Sequence, residues 1–261
     1  MTTFDPAAVA AVLRQTRLDR TIVQPLPADA APATVAQGAA AQRALASLVG
    51  SADPGGFKIG ATGQRMQAYL GLTGPAAGFM EAANIHLVSA ELRFADFIKP
   101  GVECEVAVRL GRDLPPGSYT AEQVADAVAE VIAGVEIVEN RYDDLKTLGT
   151  PTLIADQVYH CAAVVGVLGG VDWRGLDVGA MRGRISVDGV LRDEGVSSDL
   201  MGHPFNCLAW LAKSEVVAAF GGLKAGQTVM LGSVTPPVWL EAPGTITVEF
   251  APLPPVTVRL G

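Results

Sequence analysis

The chain has little charge, few aromatic residues and few cysteines. Charged residues fill 18% of its 261 positions and aromatic residues 6%. The 19 Lys and Arg are outnumbered by 27 Asp and Glu and form no cluster. This argues against a nucleic-acid partner, because phosphate contacts need concentrated positive charge. Three widely spaced cysteines, Cys104, Cys161 and Cys207, cannot build a disulfide framework, which favours a reducing compartment.

A long hydrophobic run is also lacking. No stretch reaches the roughly 18 apolar residues that a membrane-spanning helix needs. The first residues include an early acidic residue and no continuous apolar segment, unlike a secretory signal. With 49% apolar residues, the composition is that of a folded globular protein. We therefore expect a cytoplasmic protein with neither a membrane nor a nucleic acid as its partner.

Several active-site signatures are missing as well. The three histidines, His86, His160 and His203, are dispersed, and none is spaced with a cysteine as in a zinc site. No nucleophile elbow, phosphate-binding loop or dinucleotide fingerprint occurs. His203 stands directly before Pro204, which is typical of a residue at the entry of a helix.

The hydrophobic periodicity changes near residue 52. Apolar residues recur at helical spacing before that point, and strand-like segments predominate after it. We predict a helical N-terminal region, 1–52, followed by a catalytic core, 53–261. Strands outnumber helices and do not alternate with them regularly. This pattern favours an α+β fold with a curled, mostly antiparallel sheet.

Two glutamates alternate along one predicted strand, residues 101–110. Glu103 and Glu105 share one face, and the other face is entirely apolar. Such carboxylates lie about 6–7 Å apart at their Cα atoms and can approach one cation. Oxygen ligands suit Mg²⁺ or Mn²⁺ better than zinc. Spacing alone nevertheless favours a solvated face on which Glu105 pairs with Arg109.

A metal site would need a third carboxylate. A capping-box pattern at Thr120 and Gln123 predicts a long helix that ends at Gly134. The strand-like stretch after it carries Glu136 and Glu139. A strand–helix–strand unit would return one of them beside the first pair, and the spacing does not decide which.

A lysine interrupts an apolar segment bounded by glycines, Gly56-Phe-Lys-Ile-Gly60. Lys58 either extends from an edge strand into solvent or is aimed into a site. In a site it could hold a substrate carboxylate or move a proton. By itself, the pattern favours the edge position.

Together these segments resemble the hydratase/decarboxylase branch of the fumarylacetoacetate hydrolase superfamily, the group of 2-keto-4-pentenoate hydratase. The resemblance implies a curled mixed β-sheet core with a helical N-terminal region. It also implies a metal-dependent enzyme acting on 2-oxo or 2-hydroxydienoic acids from aromatic catabolism. The matching segments follow the family order over about residues 50–260: GFKIG, LGLTGPAAGFM, the Glu103-x-Glu105 strand, EIVENRYDD, TLIADQ, MGHPFNCLAWLA and LKAGQTVMLGSVTPP.

The resemblance also assigns site residues. It implies that Glu103, Glu105 and Glu136, rather than Glu139, hold Mg²⁺ or Mn²⁺. Lys58 matches the family lysine, which implies a catalytic and a substrate-binding role. The other positions for which substrate binding is implied are Asp156, Gly232 and Ser233.

The implied activity is that of a hydro-lyase. It would add water to a 2-hydroxy-2,4-dienoate and give a 4-hydroxy-2-oxo acid. The alternatives are a 4-oxalocrotonate-type decarboxylase and an acylpyruvate C–C hydrolase, since the same electron sink serves all three reactions. The family is usually oligomeric, which implies a homo-oligomer.

Two departures from the family pattern keep a further alternative open. The turn Gly74–Gly78 lacks the aspartate that hydratases often carry there. The usual Ala-Asp-Asn-Ala-Ser stretch is Ala-Asp-Gln-Val-Tyr at 155–159. The alternative is a catalytically inactive protein that binds small molecules.

Overall fold

The computed structural model describes residues 4–144 and 148–261. Within these ranges, no helix is both long and apolar enough to cross a membrane. The helices are α1 (Pro6–Asp19), α2 (Val35–Leu48), α3 (Gln64–Leu70), α4 (Ala121–Ala125), α5 (Thr150–Ala155), α6 (Pro204–Ala212) and α7 (Glu215–Ala219). The strands are β1 (Gly56–Gly60), β2 (Ala76–Met80), β3 (Ile85–Leu87), β4 (Ser89–Leu92), β5 (Pro100–Leu110), β6 (Val128–Glu139), β7 (His160–Val165), β8 (Arg182–Val187), β9 (Val190–Val196), β10 (Thr228–Ser233), β11 (Val238–Trp239), β12 (Gly244–Phe250) and β13 (Val256–Leu260).

The strands form two sheets. The larger sheet has the order β2-β1-β10-β5-β6-β7-β3, with the short strand β11 also paired to β5. The smaller sheet has the order β4-β13-β12-β8-β9. Most neighbours are antiparallel, but β1 with β10, β3 with β7 and β4 with β13 are parallel. Both sheets are therefore mixed, and together with the helices they confirm the predicted α+β class.

The alternation of side chains along the long strands gives the larger sheet two different faces. On β5, the apolar set from Val102 to Leu110 packs into the main core, which also contains the inward residues of the smaller sheet, such as Val248 and Val258. The opposite face of β5 carries Glu103, Glu105 and Ala107. The apolar face thus anchors the strand, and the other face is left to build a site.

The two N-terminal helices form where the sequence predicted them. Pro6 begins α1, and the Asp5 carboxylate accepts a hydrogen bond from the Ala7 N–H. Thr34 caps α2 in the same way. Leu13 and other buried residues of both helices belong to the main core. The division into residues 1–52 and 53–261 stays a prediction.

The helix predicted from Thr120 to Gly134 is wrong over most of its length. The capping box forms, but α4 ends at Ala125 and β6 begins at Val128. The apolar spacing fits a helix, yet the segment is rich in β-branched residues and pairs with β5 along its whole length. The sheet ladder therefore overrides the helical period, as tertiary pairing commonly does.

Candidate active site

Three glutamates from neighbouring strands meet on the polar face of the larger sheet. Glu103 and Glu105 share a face of β5, and the antiparallel register places Glu136 of β6 directly opposite Glu103. One carboxylate oxygen from each residue lies within 4.8 Å of the other two. We call these three residues the carboxylate cluster. Glu139, three residues further along β6, pairs with Arg141 instead.

Two of these carboxylates have one oxygen held by protein and the other unpaired. Glu105 Oε2 accepts a 2.8 Å hydrogen bond from the backbone N–H of Gly232. Glu136 Oε1 lies 3.2 Å from Lys58 Nζ and 2.9 Å from His160 Nδ1. Glu105 Oε1 and Glu136 Oε2 are buried without a hydrogen-bond partner in the described part of the chain. An ionised oxygen in this position needs a cation, because burial without a partner is costly.

A bulge in β10 aims the Gly232 N–H at Glu105. The register between β10 and β5 shifts after Met230, so that Ser233 pairs with Glu105. Gly232 has a φ of +119°, and a Cβ there would meet Thr62 at 2.7 Å. Both the backbone conformation and the close approach therefore require glycine.

Burial and like charge make the cluster hard to ionise completely. Burial, followed by the charge of Glu136, raises the pKa of Glu103 to about 8. Burial likewise raises the pKa of Glu105 well above its ordinary value. It acts in the same direction on Glu136, but the Lys58 ammonium and the His160 hydrogen bond outweigh it and lower that pKa. An all-oxygen set that is expensive to ionise alone fits Mg²⁺ or Mn²⁺.

The carboxylate cluster borders a cavity of about 640 Å³, a volume suited to a small organic acid. Glu103, Lys58 and Ser233 line this cavity. Backbone and apolar groups of the β1–α3 segment, with aromatic side chains, form much of the remaining wall. The wall includes Val138, Tyr142, Val158, Tyr159, Pro236 and Trp239.

Both alternatives that spacing alone favoured are wrong. Glu105 is fully buried and held by Gly232, so its face of β5 is not a solvated edge. Lys58 is 2% exposed and lines the cavity, so it does not extend into solvent. The structure thus brings together Lys58 and the three glutamates that the family resemblance assigned.

Asp156 lies behind the cavity wall among buried charges. Its Oδ1 accepts a hydrogen bond from Arg17 Nη2 at 2.6 Å, and its Oδ2 accepts from Arg141 Nε at 3.1 Å and from the Tyr142 hydroxyl. Arg141 also donates to Glu139 Oε2 at 2.8 Å. We call Arg17, Glu139, Arg141 and Asp156 the arginine network. Of these contacts Tyr142 lines the cavity, and a role of Asp156 in substrate binding stays a prediction.

A left-handed turn follows Asp156 and is not predicted by the sequence. Gln157, Val158 and Tyr159 have φ values of +60°, +53° and +64°. Each costs on the order of 1 kcal/mol in a non-glycine residue. Gln157 Nε2 donates to the Phe79 carbonyl at 2.8 Å, which helps to hold the turn. The segment lacks glycine and asparagine, the residues that favour this conformation. It is also the stretch that departs from the family motif.

Two histidines have local roles at helix or strand ends. His203 caps α6, and its Nδ1 accepts a hydrogen bond from the Phe205 N–H at 3.1 Å, which confirms the predicted helix entry. His160 opens β7 and contacts Glu136. The sequence does not point to His160, because the wide spacing of the three histidines argues only against a zinc site.

Comparison with known proteins places this geometry in a family. The model of the family described as fumarylacetoacetate (FAA) hydrolase C-terminal matches residues 59–260, more than half of the chain. The chain belongs to the fumarylacetoacetate hydrolase family. A 2-keto-4-pentenoate hydratase from Paraburkholderia phymatum is 31% identical over 195 residues, which cover 75% of this chain and 73% of that protein. A protein of the same name from Burkholderia vietnamiensis is 32% identical over 190 residues, 73% of this chain and 71% of that protein.

Solved structures show the same fold. The 4-oxalocrotonate decarboxylase from Pseudomonas putida G7, in complex with magnesium and adipate, matches with a TM-score of 0.89 at 22% sequence identity. The match covers 100% of both chains. The fold of this member of the fumarylacetoacetate hydrolase family is therefore the predicted curled mixed sheet with an N-terminal helical region.

Proposed function

We propose that the chain is a divalent-metal-dependent hydro-lyase of aromatic catabolism. It adds water to a 2-hydroxy-2,4-dienoate of the 2-keto-4-pentenoate type and releases a 4-hydroxy-2-oxo acid. The observation that carries this proposal is a pair of buried oxygens, one on Glu105 and one on Glu136, that have no partner among the described residues. They belong to the cluster whose Glu103 lines the same cavity as Lys58. The names of the two hydratase relatives support hydration as the reaction.

The carboxylate cluster would hold Mg²⁺ or Mn²⁺. When bound there, the ion would supply Lewis acidity towards a 2-oxo acid. Magnesium in the complex of the decarboxylase from Pseudomonas putida G7 supports an ion of this class. On the protein side, Gly232 fixes Glu105, and the register of β5 and β6 sets Glu103 against Glu136.

Lys58 is assigned the proton relay. Hydration needs two proton movements: the dienol loses its hydroxyl proton while C5 gains one, and water then places oxygen on C4 and hydrogen on C3. Lys58 Nζ is buried on the cavity wall 3.2 Å from Glu136, where it can hold the substrate carboxylate and pass a proton. Ser233 offers a hydroxyl on the same wall. The proposal also includes substrate binding by Ser233 and Gly232, and by Asp156 acting through Tyr142, which lines the cavity.

The second candidate is a 2-oxo acid decarboxylase. The match of the whole chain to the decarboxylase from Pseudomonas putida G7 favours it. The turn Gly74–Gly78, which lacks an aspartate as a proton carrier, agrees with an altered reaction. Negative charge develops on the 2-oxygen in either reaction. A cation held by the carboxylate cluster would stabilise it in both cases.

The test is turnover by metal-stripped protein with and without Mg²⁺ or Mn²⁺. With 2-hydroxypenta-2,4-dienoate we expect metal-dependent loss of the dienol absorbance and a product heavier by one water. Release of CO₂ from a 2-oxohexenedioate, without hydration, would establish the decarboxylase instead. Cleavage of an acylpyruvate would indicate the C–C hydrolase. If none of the three substrates is turned over, with or without metal, the proposal of an enzyme is contradicted. The alternative of a small-molecule binding protein would then remain. Light scattering of the same sample checks the predicted homo-oligomer.

A further inference from the structure

His160 contacts the carboxylate cluster but has no role assigned so far. It is buried, with 1% exposure, and its Nδ1 lies 2.9 Å from Glu136 Oε1. Neither the family resemblance nor the cluster of oxygen ligands includes it. A buried imidazole against a candidate metal ligand therefore needs an explanation of its own.

A bulge in β7 places His160 on the site face of the sheet. The register between β6 and β7 pairs Ile137 with Ala162 and then Val138 with His160, so that Cys161 is an extra residue. Cross-strand partners share a face. His160 therefore lies on the face of Val138, which lines the cavity, and of Glu136. In a regular ladder Cys161 would occupy this position.

The hydrogen bond has a defined direction. An ionised carboxylate can only accept, so Nδ1 of His160 carries the proton and donates to Glu136. Within the described ranges Nε2 is buried without a hydrogen-bond partner, which fits a neutral ring with a bare Nε2. The imidazole thus acts as a fixed donor to Glu136.

Two donors share the same oxygen of Glu136. Lys58 Nζ and His160 Nδ1 both contact Oε1, and Oε2 is left for a cation. Glu105 shows the same division: its Oε2 accepts from Gly232, and its Oε1 has no hydrogen-bond partner in the part of the chain that the structure describes. The lysine is a flexible point charge that could follow either oxygen, whereas the ring of His160 is a directional donor.

We propose that His160 is a positioning residue that orients Glu136 for the divalent cation. Without it, the carboxylate could turn and present both oxygens to Lys58, and the cation would have to compete with that ion pair. Hydrogen bonds to metal-ligating side chains typically contribute about 10–100-fold to metal affinity. This inference rests on the proposed metal site but not on the identity of the substrate.

The test is Mn²⁺ titration of the metal-stripped protein. Binding is measured by calorimetry or from the paramagnetic resonance signal of free Mn²⁺. We expect His160→Ala to weaken binding about 10–100-fold. His160→Asn keeps an N–H donor and should recover most of the affinity. His86→Ala, in the middle of the edge strand β3, is the matched histidine control and should bind as the wild type does. Thermal unfolding identifies any variant that fails to fold.

The outcomes separate this inference from the proposed function. If wild-type protein binds no Mn²⁺, the proposed metal site itself fails. If wild-type protein binds and Glu136→Gln does not, while His160→Ala binds as tightly as wild type, only the role of His160 is overturned. The role of His160 would also be overturned if His160→Ala and a folded His160→Asn weakened Mn²⁺ binding equally. The N–H donor would then make no difference to the affinity. If His160→Ala does not fold, His160→Asn and His160→Phe provide the comparison of donor with non-donor.

Discussion

Two groups of buried charges lie within the same fold and differ in balance. The arginine network has two carboxylates and two guanidinium groups, and both oxygens of Asp156 are bound. Among the described residues, the carboxylate cluster has three carboxylates against one ammonium group, from Lys58, and two of its buried oxygens are unpaired. Burial alone therefore does not mark a functional site. An excess of buried carboxylates distinguishes the carboxylate cluster, because it must be balanced by bound protons or by an added cation.

The two groups also differ in which backbone elements bring their residues together. The arginine network joins residues far apart in the chain, since Arg17 on α1 reaches Asp156 after α5. It ties the N-terminal helix to the core and supports Tyr142 in the cavity wall. The carboxylate cluster lies on adjacent strands whose bulges redirect single groups, Gly232 N–H and His160, towards it. We expect the arginine network to stabilise the fold and the carboxylate cluster to bind a ligand.

The largest expected effect comes from removing one charge of the carboxylate cluster. Glu105→Gln should abolish Mn²⁺ binding and lower turnover on the order of 10³-fold, because the ion and its Lewis acidity are lost. The metal-free variant should unfold with a free energy within about 1 kcal/mol of wild type, since glutamine resembles the protonated carboxyl that burial favours. Turnover and urea unfolding measure the two effects, and full activity would contradict the metal mechanism.

Removal of the ammonium group should separate chemistry from metal binding. Lys58→Ala should lower kcat/KM by about 10²–10⁴-fold, the range for a lost proton-transfer group. Mn²⁺ should still bind, because the removed group is itself a cation beside Glu136. Steady-state kinetics and Mn²⁺ titration check both expectations. An unchanged kcat/KM would reduce Lys58 to a packing residue.

A charge removed from the arginine network should have the opposite pattern. Asp156→Asn leaves Arg17 and Arg141 without their shared carboxylate and should cost about 3 kcal/mol or more of stability. Its Mn²⁺ affinity should equal that of wild type. Urea unfolding and Mn²⁺ titration of the same preparation test this. A folded variant of normal stability with weakened Mn²⁺ binding would break the distinction between the two groups.

The pH dependence of stability should differ in sign between the two groups. The pKa of Glu103 is raised from 4.5 to about 8, so the folded metal-free chain holds a proton that the unfolded chain has lost. This contribution to stability is full below pH 4.5 and is lost as the pH rises through about 8. Burial would raise the pKa of Asp156, but the two arginines outweigh it and lower that pKa, so its contribution is full above pH 3.8 and is lost on acidification.

Metal binding should follow the same titration. Mn²⁺ must displace the proton of Glu103, so its affinity should rise between pH 6 and pH 8, with release of protons. Calorimetry in two buffers of different ionisation enthalpy measures the proton release. Glu103→Gln provides the control, because its remaining affinity should lose this part of the pH dependence. Affinity that falls with rising pH would contradict the assignment.

The sequence predicts the parts of the site that local rules specify. Alternation along β5 places Glu103 and Glu105 on the same face. Glu136 and Glu139 are separated by an odd number of positions, so they point to opposite faces of a regular strand. This signal could have distinguished them. The helix beyond Ala125 could not be excluded in this way, since its apolar spacing suits a helix as well as a buried strand.

The rest of the site depends on features that local patterns do not specify. The bulges at Cys161 and before Ser233 decide where His160 and the Gly232 N–H point, and each arises from pairing with a distant strand. The contact of Arg17 with Asp156 spans 139 positions of the chain. Such contacts follow from the assembled sheets and from the N-terminal helix packed against them.

The central claim is that the carboxylate cluster is a divalent-cation site. Anomalous diffraction from crystals soaked in Mn²⁺ tests it most directly, since the ion is located by its own scattering. We predict one strong peak per chain, bonded to Glu105 Oε1, Glu136 Oε2 and a Glu103 oxygen, and its loss in crystals of Glu105→Gln. A peak bonded to other residues, or none at concentrations that support turnover, would contradict the account.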